Sequence, residues 1–63
     1  MLSDWELWAV ANRMVADHGE EAALAVALKV DEMIERSDLD GEKVWRAVLK
    51  RVEEFEAPAG QPN

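Results

Sequence analysis

Apolar side chains recur three and four positions apart along most of the chain. Leu7, Val10, Ala11, Met14 and Val15 form one stripe, with Trp8 at its edge and His18 below it. Ala23, Val26, Ala27, Val30, Met33 and Ile34 form a second, and Val44, Val48, Val52 and Phe55 a third, flanked by Trp45 and Leu49. This is the period of an α-helix with one side against a core, and no stretch alternates as a strand would. There is no internal repeat. The pattern predicts an all-α fold: a compact three-helix bundle with helices at about 3–18, 20–37 and 40–56.

The breaks between the stripes carry their own signals. Ser3 and Glu6 form a Ser-x-x-Glu capping box, and Leu2 and Leu7 stand where a hydrophobic staple would sit. Asp4 and Glu6 suit the positive end of a helix dipole. Gly19 is placed to end this helix in the left-handed conformation. So short a connection makes the first two helices near neighbours, roughly antiparallel. In "SDLDGEK", Asp40 reads as the cap of the third helix with Leu39 and Val44 as its staple, and Asp38 offers an earlier cap. "APAGQPN" contains both prolines and a glycine, and predicts a disordered tail at 57–63 after a single domain at 1–56.

Three large apolar residues fall off the stripes. Trp5 lies beyond Trp8, beside Ala9, Asn12 and Ala16. Leu24 and Leu28 point away from the second stripe, among Glu21, Asp31, Glu32 and Glu35. Two readings stand open at this point. Either the bundle has wide faces that cover them, since each helix touches two others, or they form an exposed patch for a partner. Burying all three would remove roughly 5–8 kcal/mol worth of apolar surface from water, before the costs of association.

Composition narrows the class of protein. The 63 residues are 49% hydrophobic and 33% charged, so the chain is globular and close to the lower limit for a self-sufficient core. The absence of cysteine excludes disulfides and thiolate chemistry and makes a cytoplasmic home the default. No apolar run is long enough to span a membrane, and Asp4 and Glu6 stand where a signal peptide would carry Lys or Arg. Fourteen acidic residues against seven basic ones give a net charge of −7, so direct binding to nucleic acid is not expected. Lys43, Arg46, Lys50 and Arg51 are clustered, and Lys43, Arg46 and Lys50 form a candidate basic face opposite the third stripe.

Candidate chemistry is sparse. His18 is the sole histidine, there is no Tyr or Cys, and Ser3 serves better as a cap than as a nucleophile. His18 with Glu21 could hold a metal only weakly, and a histidine before a terminal glycine ordinarily faces the helix dipole. "DLDGE" resembles part of a calcium loop, but alignment on Gly41 puts Arg36 and Ala47 where carboxylates are required. A helix-turn-helix reading fails on Asp38, Asp40 and Glu42, which would face phosphates. No enzyme activity, cofactor, metal or small-molecule substrate is expected.

The stretch "DWELWAVANRMVADHG" resembles the opening of a family of small uncharacterised alphaproteobacterial helical proteins. The similarity rests on Trp5, Glu6, Leu7, Trp8, Ala11, His18 and Gly19. "VWRAVLKRVEEF" is similar to that family's closing amphipathic helix, through Trp45 and Ala47. The second helix departs from it, being richer in Ala and Val. The resemblance implies a small helical fold and no known activity.

The sequence thus predicts a non-enzymatic, acidic helical protein–protein interaction module, either self-associating or docking on a larger protein. Trp5, Leu24 and Leu28 are its candidate contacts. A rival reading is an acidic inhibitor of the phage or mobile-element type, anti-CRISPR-like in mimicking nucleic acid. Glu20, Glu21, Asp31, Glu32 and Glu35 would supply that surface.

Overall fold

The computed structural model describes residues 2–56, so the tail predicted at 57–63 lies outside them. Three α-helices run in order: α1 (Asp4–His18), α2 (Ala22–Glu35) and α3 (Leu39–Glu56), with a 3-10 turn over Gly19–Glu21 between the first two. There is no strand among the described residues.

Local signals start α1 as the sequence predicts. The Glu6 amide donates to Ser3 Oγ at 3.2 Å, and the Ser3 amide donates to Glu6 Oε1 at 2.9 Å, completing the capping box. Gly19 ends the helix in a form other than the left-handed one expected. Its φ of 58° and ψ of −128° match the sharp corner of a type II′ turn, and its amide still bonds the Val15 carbonyl. A Cβ at Gly19 would meet nothing within 4 Å, so the backbone angle, and not space, requires glycine here. The corner leads into the 3-10 turn, and regular α-helix resumes at Ala22, two residues later than predicted.

The left-handed residue sits at the other junction. Ser37 has φ 58°, its amide bonds the Ile34 carbonyl at 3.0 Å, and the Asp38 amide bonds the Met33 carbonyl at 2.8 Å. Together these bonds make a Schellman closure of α2. Asp38 then caps α3, because its Oδ1 accepts from the Gly41 amide at 2.8 Å. The cap is therefore Asp38 and not Asp40. Leu39 becomes the first helical residue and is exposed, which removes the predicted Leu39–Val44 staple. One aspartate serves two helices.

The core is small and centred on α3, which packs against α2 most extensively and against α1 next; α1 and α2 meet least. Leu7 and Ala11 from α1, Ala22 and Val26 from α2, and Val48 and Val52 from α3 form the buried cluster, while Val30 and Met33 are buried further along α2. The largest fully buried side chains are valines, which lets helix axes approach closely. Gly41 allows the same closeness at the α2–α3 corner, since a Cβ there would stand 2.5 Å from Met33 Sδ and 2.7 Å from Asp38 Oδ2. Two residues assigned to the stripes are not core: Ile34 and Phe55 are both exposed. Ile34 lies at the margin of its stripe by helical angle, and Phe55, inside its own stripe, lies one residue from the end of α3. Among the described residues, no helix is long and apolar enough to cross a membrane.

Two substitutions at the junctions test this account of the backbone. Gly19→Ala should destabilise the fold by about 1–2 kcal/mol, because an L side chain is strained at that φ. Ser37→Gly should stabilise it by about 0.5–1 kcal/mol for the converse reason. Urea denaturation followed by circular dichroism reads both.

Candidate functional site

With the core placed, α2 proves to be apolar on two sides. Ala22, Val26, Val30 and Met33 turn inward. Leu24, Leu28, Asp31 and Glu35 follow the i, i+4, i+7, i+11 spacing of the opposite side, and all four are exposed. Leu24 retains 60% and Leu28 57% of full exposure. From Ala22 to Leu28 no side chain is polar, and a helix apolar all round is ordinarily covered all round. The reading in which neighbouring helices close over the two leucines is therefore corrected, because α1 and α3 both lie on the Val26 side.

Carboxylates frame this leucine pair. Glu20 and Glu21 precede it, Asp31, Glu32 and Glu35 follow it, and all five are exposed. The nearest cation is Lys29, whose Nζ lies 3.7 Å from Glu32 Oε1. Such an exposed pair adds little stability and leaves the surface strongly negative.

Trp5, at 77% exposure, belongs to a different surface. It stands in the first turn of α1, about 20 Å along that helix from the corner, whereas Leu24 lies within a turn of the corner. That first turn is tied to α3: Arg51 donates to the Asp4 carboxylate, and its other amino nitrogen donates to the Ala47 carbonyl at 3.0 Å. The Arg51 guanidinium also lies 5.5 Å from the centre of the Trp8 ring, which meets Phe55 edge-on at 5.6 Å and 83°. Trp8 is half-buried in this α1–α3 seam, in keeping with its place at the edge of the first stripe. Arg51 is the residue that sequence reasoning missed. It was grouped with the cations of α3, yet its side chain is only 17% exposed and its buried Nε has no partner among the described residues. No local spacing announces a contact between residues 47 positions apart.

Lys43, Arg46 and Lys50 are exposed on the outer side of α3 in line with Leu39, and Arg46 Nε is held by Glu42 at 2.8 Å. A shallow cleft of about 700 Å³ opens at the α2–α3 corner between Leu2, Met33, Asp38, Val44 and Trp45. Its Asp38 carboxylate is already engaged as the helix cap. Among the described residues, no group of three or more His, Cys, Asp or Glu could hold a metal ion.

The Arg51 seam yields a paired expectation. Arg51→Ala should cost about 1–2 kcal/mol, since it removes the cation over Trp8 and the packing of the aliphatic stem. Asp4→Asn should cost less than about 0.5 kcal/mol, because Asp4 is largely in water and the ion pair is screened. Chemical denaturation of the two variants, followed by tryptophan fluorescence, checks the ordering.

Comparison with known proteins adds one relationship. No curated protein and no solved structure matches the chain. The model of a family of unknown function, DUF6961, matches residues 3–58, which spans the capping serine and all three helices. The chain belongs to that family of unknown function.

Proposed function

We propose that this chain is a non-enzymatic, acidic helical module that works by protein–protein contact, with Leu24 and Leu28 at the centre of its binding face. The observation that carries the reading is the exposure of those leucines on a helix whose other side already fills the core. Leaving them in water forgoes roughly 1.5–3 kcal/mol for each leucine that could be fully buried. Large side chains of that kind, set in a polar surround, mark interaction surfaces. Trp5 offers a second, separate anchor at the far end of α1. Kinship with alphaproteobacterial proteins, supported by Trp5, Glu6, Leu7, Trp8, Ala11, His18 and Gly19, and a cytoplasmic location, supported by the absence of cysteine, belong to the same proposal.

A second reading, the nucleic-acid-mimicking inhibitor, is favoured by one observation. Glu20, Glu21, Asp31 and Glu35 form no ion pair among the described residues and share the outward side of the Gly19–Glu35 segment with the leucines. The two readings differ in what the leucines do, since a purely electrostatic mimic would not need them.

The double variant Leu24→Gln/Leu28→Gln separates them. Both positions are exposed, so helix content should stay unchanged and stability should fall by less than about 1 kcal/mol in total. Binding to a partner isolated from the native cell and then purified should drop at least tenfold, as measured by calorimetry. Undiminished binding that vanishes in high salt would favour the electrostatic inhibitor. An unfolded variant would return the leucines to the core and end the proposal.

A further inference from the structure

We infer that the partner seated on α2 is a cationic amphipathic helix; this rests on the reading of Leu24 and Leu28 as a binding face. The shape of the surface comes first. Leu24 and Leu28, one turn apart, form a convex ridge on a regular helix. A ridge of i, i+4 side chains packs into the groove between the ridges of another helix. It offers no edge to which an extended segment could add as a strand, and no enclosed volume for a small ligand.

Charge then selects among helices. Glu21 lies three residues before Leu24, Asp31 three after Leu28, Glu32 four after it and Glu35 seven after it, and all are exposed. A complementary helix carries two apolar residues three or four apart, with Lys or Arg about one turn to either side. Its cations would meet carboxylates of which, among the described residues, only Glu32 is engaged in an ion pair, with Lys29. The same pattern opposes a second copy on this face. Two α2 surfaces brought together on the leucines would set Glu21 against Asp31 when antiparallel, and Glu21, Asp31 and Glu35 against their own copies when parallel. The chain's own basic stripe on α3 is a poor substitute. It carries a single large apolar residue, Leu39, and Arg46 is already bound to Glu42.

The probe is a synthetic helical peptide with two leucines four apart, a lysine three positions before the first, and lysines three and seven positions after the second. Two control peptides accompany it, one with glutamate for every lysine and one with the same residues in scrambled order. Binding is measured by calorimetry on the full chain, and amide chemical shifts locate the face. The lysine–leucine peptide should bind at least tenfold more tightly than the scrambled one, shift Leu24 and Leu28, and weaken as salt is raised. Leu24→Gln/Leu28→Gln should lower affinity at least tenfold. Asp31→Asn/Glu32→Gln/Glu35→Gln, which keeps the leucines, should lower it several-fold, whereas an unfolded leucine variant would end this inference together with the reading it rests on.

Equal binding of the scrambled peptide would overturn the inference in favour of unspecific charge attraction. So would preference for the glutamate peptide, or a dimer in sedimentation whose interface shifts the same two amides. A purified natural partner that needs Leu24 and Leu28 but lacks a cationic helix would sink this inference while sparing the interaction module. A natural partner indifferent to both leucines would sink the module itself.

Discussion

The structure depends on how little a chain of this size can bury. Its three helices converge on a core whose fully buried side chains are no larger than valine, with Val26, Val48 and Val52 at its centre. Small side chains at a helix contact bring the axes together, and close axes leave each helix only a narrow inward side. Because α3 holds the middle position, α1 and α2 each cover part of it and only a little of one another. A helix that is apolar on two sides then has one side too many. That mismatch, in α2, is the origin of the surface assigned to a partner.

The two junctions hold this arrangement by different means. At Gly19 the chain turns through an angle that only glycine takes easily, and resumes as helix within three residues. At Ser37–Asp38 the last carbonyls of α2 and the first amides of α3 are satisfied by neighbouring residues of one short link. The Arg51 seam adds a third tie, fixing the first turn of α1 against α3 through Asp4 and Trp8. In this arrangement Leu24 and Leu28, on the outer side of α2, face water.

Helix number and order were legible in the sequence because they rest on local period and capping. The Ser3–Glu6 box could be read directly, since all its partners lie within four residues. The third helix's cap was not fixed, because choosing Asp38 over Asp40 depends on how α2 closes at Ser37. The stripes failed for a related reason: Ile34 and Phe55 follow the helical spacing, yet packing leaves both exposed, Phe55 with only an edge-on contact to Trp8. Leu24, Leu28 and Trp5 could be flagged as off-stripe, yet their exposure depended on face widths that only packing sets. Arg51 was invisible as a seam residue, because its partners come from another helix.

The central claim is that Leu24 and Leu28 lie in water in the isolated chain, on a helix whose other face is core. Hydroxyl-radical footprinting with mass spectrometry tests this directly on dilute protein. Leu24 and Leu28 should be oxidised nearly as fast as in the urea-unfolded chain, while Val26, Val48 and Val52 should be strongly protected. Protection of the two leucines comparable to that of the valines would contradict it.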